Sequence, residues 1–267
     1  MDAHEYYDLT GKVAIVTGGA GWLGTPMSEA LAEMGATVAV IDINRDAIDR
    51  VVDSLESRNL KAIGKVADTI EETSLRKVID EVANELGRLD VLINCAYKTP
   101  TPLLDETTGD DMQEAFKAAT AFMVGAQQAA IHMRKVGGGS IINVGSMYGS
   151  VTGYPEVYKD LMDPNPITYQ ASKGAVLQIT RHLSVYYAED GIRVNTLSPG
   201  PFPNPNKPGY KEDPNLKEFV RRLGKNSPMG RIGRPDEFKG PVTFLASNAS
   251  SYVTGQNLLV DGGWTVW

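Results

Sequence analysis

Tyr169 and Lys173 stand four positions apart in Tyr169-Gln170-Ala171-Ser172-Lys173, and on a helix that spacing puts both side chains on one face. An ammonium held beside a phenol favours the ionised form. At about 4 Å and an effective dielectric near 20, the attraction is roughly 4 kcal/mol, and one pKa unit corresponds to about 1.36 kcal/mol. A fall of up to about three units from the free phenol value of about 10 is therefore expected before screening. Tyr169 would then work as a general acid or base near neutrality. The same pair on an ordinary amphipathic helix carries no chemistry, so its companions decide its meaning.

The elements that must position this pair alternate along the chain. Short β-branched runs at residues 12–17, 37–42, 61–66, 91–94, 140–144, 193–197 and 256–260 read as strands. Between them, residues 25–34, 46–57, 72–86, 110–135 and a stretch from Tyr169 to about Tyr187 read as helices, with two more at 216–223 and 235–245. The strands are nearly continuous apolar runs, the mark of a parallel sheet covered on both faces. The expected fold is an α/β, Rossmann-like doubly wound parallel sheet, one domain over residues 1–267, with substrate loops near 150–168 and 201–228. Such sheets bind ligands at the carboxyl ends of their strands.

The first strand runs into Thr17-Gly18-Gly19-Ala20-Gly21-Trp22-Leu23-Gly24, and a helix follows at once. Glycines there let backbone amides approach a pyrophosphate, which the helix N-terminus favours. Gly18, Gly21 and Leu23 are the expected contacts. Asp42 ends the second strand, where its carboxylate can accept from a ribose diol and would repel a 2′-phosphate. With no Lys or Arg in the turn, NAD is expected over NADP; Arg45 nearby is the one feature that favours NADP. Asp68, after the third strand, either meets the adenine or caps a helix.

Taken in order, the Gly-rich turn, Asn94, Ser146, Tyr169-x-x-x-Lys173 and Pro199-Gly200 resemble the short-chain dehydrogenase/reductase family. The likeness runs from Leu9-Thr10-Gly11-Lys12-Val13-Ala14 to Val260-Asp261-Gly262-Gly263. The resemblance implies that Tyr169 is the acid or base and that Lys173 lowers its pKa and holds the nicotinamide ribose. It implies that Ser146 hydrogen-bonds the substrate oxygen, and that Asn94, Pro199 and Gly200 position the cofactor. It also implies a homotetramer formed through the helix that carries Ala118, Ala119, Ala121, Gly125, Ala126 and Ala129.

Four departures from the family pattern stand out. Trp22 replaces a glycine of the shorter members, and is expected to pack into the core because close phosphate approach tolerates little bulk. Asn94-Cys95-Ala96-Tyr97 replaces Asn-Asn-Ala-Gly. The helix asparagine that holds a relay water is missing, with Ala118 or Ala119 in its place. The stretch from Ser146 to Tyr169 is longer than usual, and its insertion, with Tyr154, Glu156, Tyr158, Lys159 and Asp163, is expected to rim the site.

Composition removes other classes. The 267 residues carry 26 basic side chains, scattered, and a formal charge of −7, which argues against nucleic acid or acidic lipid as partner. One cysteine, Cys95, fits a reducing compartment. No apolar run approaches a membrane span, and the start has no signal-peptide pattern, so a cytoplasmic protein is expected. His4, His132 and His182 lack ligand spacing, so no metal is expected; Tyr148 either lines the pocket or packs. The expected activity interconverts a secondary alcohol and a ketone. The polar 201–228 loop, with Asn204, Asn206, Lys207 and Tyr210, leans toward a sugar-like or polyol small-molecule substrate. An epimerase or dehydratase with transient NAD oxidation is the first rival, suggested by the glycine spacing but set back by the short stretch after Lys173. A non-catalytic dinucleotide sensor is the second, set back by the intact Ser146, Tyr169 and Lys173.

Overall fold

Five consecutive residues, Val13-Ala14-Ile15-Val16-Thr17, are buried on both sides, which only a strand covered by two helical layers allows. This is the centre of the computed structural model, which describes residues 2–204 and 213–267. The strands are β1 (Val13–Thr17), β2 (Thr37–Asp42), β3 (Ala62–Val66), β4 (Val91–Asn94), β5 (Gly139–Val144), β6 (Ile192–Pro199) and β7 (Asn257–Val260). They form one all-parallel sheet in the order β3-β2-β1-β4-β5-β6-β7. The order reverses between β1 and β4, so the loops after these two strands diverge and leave a crevice at their carboxyl ends.

The helices are α1 (Gly24–Glu33), α2 (Arg45–Glu56), α3 (Glu72–Glu85), α4 (Gly109–Lys135), α5 (Pro155–Tyr158), α6 (Ile167–Tyr186), α7 (Pro214–Lys225) and α8 (Lys239–Ala246). One core joins Ala14 and Val16 to Met27, Leu31, Ile48, Leu55 and Leu245 of α1, α2 and α8, and to Phe238 just before α8. The other joins Val13 and Ile15 to Val78, Val82, Ala126, Met133 and Leu183 of α3, α4 and α6. Alternate residues of one strand thus serve opposite layers, as the two-residue side-chain period requires.

Local chemistry sets the element ends. Asn44 accepts from the Ala47 amide at 3.1 Å and opens α2. Thr108 and Asp111 form a reciprocal cap at the start of α4. Where one helix was expected over 235–245, a tight turn at Pro235–Phe238 precedes α8. Glu237 accepts there from the Arg234 amide and from Arg231, at 2.8 Å each. Inside the insertion, α5 begins at Pro155, a short helix whose few residues leave no period to read in the sequence.

A row of polar side chains crosses the sheet beneath the crevice. Register places Thr17 beside Asn94, Asn94 beside Asn143 and Asn143 beside Thr196. Asn94 donates to Asn143 Oδ1 at 2.9 Å and to the Phe122 carbonyl of α4 at 3.2 Å. Asn143 donates to Thr180 Oγ1 of α6 at 2.9 Å, and Thr196 donates to the same oxygen at 2.8 Å. All of these side chains are at most 2% exposed, so each is costly to leave unpaired. Gly125 belongs to this row: a Cβ there would stand 2.8 Å from Asn94 Oδ1.

The row predicts a stability effect. Asn143→Ala removes one of the two acceptors of the Asn94 amide and the donor to Thr180 Oγ1 and opens a cavity, and is expected to lower the unfolding free energy by about 2–3 kcal/mol. Urea titration would read it, and a loss below about 0.5 kcal/mol would show that the row carries no net stability.

Candidate active site

The crevice is a cleft of about 880 Å³ walled by Gly18, Gly21, Leu23, Asp42, Asp68, Tyr97, Tyr169, Lys173 and Pro199, among others. Its floor is the turn after β1. Gly18 has φ +63°, and a Cβ on it would meet the Ala96 backbone at 2.9 Å; at Gly24 a Cβ would stand 1.9 Å from the Gly18 carbonyl. Only glycine fits either place. The first turn of α1 has no side-chain cap and no acidic residue, so its positive end faces the cleft without a competing anion. These features fit a dinucleotide: the turn after β1 would take the pyrophosphate, and Asp42, at the end of β2, the adenine ribose.

Several residues depart from what the sequence leads one to expect. Asn94 does not reach the cleft; it is 1% exposed and belongs to the buried polar row, because its amide finds two acceptors there. Gly200 is required by β7 instead, since a Cβ would lie 2.4 Å from the Asp261 Cα. Asp68 caps no helix and accepts from the Ile70 amide at 2.9 Å. Trp22 is not in the core: it forms part of the cleft wall and donates to the Phe202 carbonyl at 3.2 Å, tying the glycine turn to the loop after β6. Arg45 points along α2 to Asp49 at 3.5 Å. The small residues of α4 pack inside the chain, with Ala118, Ala126 and Ala129 fully buried. Asn206, Lys207 and Tyr210 lie outside the described residues.

The expected acid-base pair is present but differently poised. α6 places Tyr169 and Lys173 on its cleft-facing side. Lys173 is 3% exposed, and Nζ donates to the Val144 carbonyl at 2.7 Å. It lies 3.6 Å from the centre of the Tyr97 ring and 5.8 Å from that of Tyr169. Burial pulls the Lys173 ammonium down from 10.5 to about 7, against a small opposing effect of Cys95. Burial also raises the Tyr169 phenol, with the Ser146 hydroxyl acting the other way. The expected fall of the phenol is thus reversed: desolvation is the leading influence on both members, and disfavours the charged form of each.

Tyr97 lines the cleft beside this pair, whereas the insertion, expected to rim the site, packs its Tyr154 and Tyr158 with Tyr148 and Trp264 in a separate apolar cluster. Ser146, 4% exposed, accepts from the Tyr148 amide at 3.1 Å and so is held beside Tyr169. The insertion contributes Tyr158, whose hydroxyl meets that of Tyr148 at 2.5 Å, and Tyr154, which stacks on Trp264. Burial raises both the Tyr148 and the Tyr158 phenols, so they remain neutral hydroxyls. Burial pushes the Cys95 thiol up to about 11, which leaves it no role as a nucleophile. His132 sits 2.5 Å from Asp80 on the far side of α4 and is structural. Among the described residues no cluster of His, Cys, Asp or Glu could hold a metal ion, and no helix is long and apolar enough to cross a membrane.

A family model described as enoyl-(acyl carrier protein) reductase matches residues 19–265. The chain belongs to the short-chain dehydrogenase/reductase family. Members are nicotinamide dinucleotide-dependent oxidoreductases, and this chain is one of them. It is 34% identical to galactitol 2-dehydrogenase (L-tagatose-forming) of Cereibacter sphaeroides, over 100% of both chains. It is 34% identical to cis-4-hydroxycyclohexanecarboxylate dehydrogenase of Sinomonas cyclohexanicum, over 95% of this chain and 96% of that one. Among solved short-chain dehydrogenase structures, gluconate 5-dehydrogenase from Burkholderia cenocepacia, in complex with NADP and tartrate, superposes with a TM-score of 0.86. That match has 31% identity and covers 100% of both chains.

Tyr97 and Gly24 are the site residues that the motifs undervalue. The signal for Tyr97 is physical: a lysine buried without a carboxylate needs another electron-rich neighbour, and the loop after β4 carries the nearest aromatic residue.

Because Lys173 is near pH 7 when folded and 10.5 when free, the unfolded chain binds the extra proton between those values, and stability gained from losing it rises with pH. The burial penalty is complete below about pH 7 and absent above 10.5. Lys173→Met should therefore raise the melting temperature most below pH 7, with the advantage shrinking toward pH 10.5. A gap that stays constant across that window would show that the lysine is not desolvated.

Proposed function

We propose that this chain is an NAD(H)-dependent dehydrogenase interconverting a secondary alcohol and a ketone. The observation that carries the reading is that Tyr169, hydrogen-bonded to Ser146, and Lys173 line one cleft with Asp42. The bound nicotinamide would supply the hydride acceptor or donor. Tyr169 moves the proton at the substrate oxygen, Ser146 donates to that oxygen, and Lys173 holds the nicotinamide ribose. The raised phenol favours ketone reduction near neutrality and alcohol oxidation as pH rises, because oxidation needs the phenolate.

The preference for NAD rests on Asp42 standing in the cleft wall while Arg45 is engaged by Asp49. A polyol or an alicyclic hydroxy compound is the substrate class. It is supported by the galactitol and hydroxycyclohexanecarboxylate relatives. Any homo-oligomer would use the outer face of α4, where Phe116 and Ile131 are exposed, rather than its small residues.

The test is NADH formation at a panel of polyols, cyclic alcohols and hydroxy acids, with NADP as the parallel cofactor. Turnover with NAD and little with NADP is the expected result. No turnover despite calorimetric NAD binding would return the weight to the epimerase or sensor readings. Tyr169→Phe should lower kcat by at least about 100-fold with NAD affinity within about threefold of the parent; near-normal turnover would refute the acid-base role. Asp42→Ala should bring the kcat/KM values for NAD and NADP together, and an unchanged ratio would refute the ribose assignment.

A further inference from the structure

We propose that the face of the Tyr97 ring is the counter-group of the Lys173 ammonium, making Tyr97 a positioning residue for the Tyr169 and Lys173 pair. The proposal deepens the dehydrogenase reading and rests on it for its kinetic consequence. Lys173 Nζ sits 3.6 Å from the Tyr97 ring centre, closer than to any other ring, with Phe122 at 5.4 Å and Tyr169 at 5.8 Å. Its sole hydrogen-bond acceptor among the described residues is the Val144 carbonyl. No carboxylate is paired with it there, although a buried ammonium ordinarily demands one. The ring quadrupole is the remaining source of negative potential, and such a contact strengthens when desolvated.

The ring is itself fixed. The Tyr97 hydroxyl donates to Ser172 Oγ, which donates in turn to the Thr168 carbonyl at 2.5 Å and the Tyr169 carbonyl at 3.0 Å. Tyr97 is thereby tied to the helical turn that carries Tyr169, and its ring meets that of Tyr169 edge to face with centroids 5.6 Å apart. Ala118 and Ala119 of α4 are fully buried, and Ala119 packs with Phe122 and Val176 in a cluster that Tyr97 joins. Two sequence departures, an aromatic after β4 and alanines in α4, are one packing solution. Burial pushes the Tyr97 phenol up to about 12, so it donates as a neutral hydroxyl.

The other titratable groups near the ammonium are the Cys95 thiol and the Tyr169 phenol. Lys98 and Glu114 also line the cleft, and neither pairs with Lys173.

The direct test titrates Lys173 in the intact chain without dinucleotide, by NMR of lysine labelled at Cε, with the signal assigned through Lys173→Met. Loss of the ring face in Tyr97→Leu should lower the midpoint from about 7 by about one unit. Tyr97→Phe keeps the face and should leave the midpoint within about 0.3 units. Mono-, di- and trifluorophenylalanine placed at the same position drain the ring of charge with little change of shape, and should lower the midpoint stepwise. That series decides the matter even if the leucine variant does not fold. A midpoint flat across the fluorinated series would overturn the proposal, as would a Tyr97→Phe midpoint that falls as far as that of Tyr97→Leu. The pH profile of kcat/KM for alcohol oxidation should move on its high-pH side with the titration. A moving lysine midpoint in a chain that oxidises no alcohol would sink the dehydrogenase reading and leave the Tyr97 assignment standing.

Discussion

A positive charge buried with no carboxylate paired to it among the described residues is the constraint around which this molecule is arranged. Lys173 is 3% exposed, with one carbonyl and aromatic faces for company. Taking an ammonium out of water is expensive, and the structure responds in two ways. It lets the group lose its proton easily, near pH 7, and it surrounds what charge remains with a carbonyl dipole and ring quadrupoles. The phenol next to it is desolvated by the same walls, so both partners sit away from their solution values. The two groups are displaced in opposite directions by the same desolvation, the ammonium toward neutrality and the phenol away from it.

Holding that geometry requires that β4, β5, α4 and α6 not slide against one another, and the polar row supplies the lock. Apolar contacts between these layers are non-directional, whereas Asn94, Asn143, Thr180 and Thr196 accept only one register. Each is buried, so a slip of one residue would strand several donors. Lys173 reaches the Val144 carbonyl, one residue beyond Asn143 on β5, so the reactive ammonium is measured from the strand that the row fixes.

The turn after β1 and the segment after β5 are built differently. In the turn after β1, glycine is needed at Gly18 and Gly24 because any side chain would strike a neighbouring peptide. After β5 the chain is held by large side chains instead, with Tyr148, Tyr158 and Trp264 packed into one buried cluster with Met147 and Val157. Trp22 donates to the Phe202 carbonyl, so the glycine turn and the start of the loop after β6 share a bond.

The sequence by itself determined the alternation of strands and helices, the parallel sheet, the glycine turn and the Tyr169 and Lys173 spacing, because each depends on local period or local sterics. Strand limits agreed with the structure to within two residues, since β-branched runs end where the apolar pattern ends. What only the tertiary structure decided was where each polar group found its partner. Asn94 turned from the cleft to the buried row, Gly200 served β7, Trp22 became a wall, and the Tyr169 phenol rose instead of falling. Those outcomes depend on burial and on neighbours brought from distant parts of the chain: Tyr97 lies far from Lys173 in sequence yet forms its closest ring. Spacing along a helix says that two groups share a face; only the packed walls say how much water and which other charges they keep.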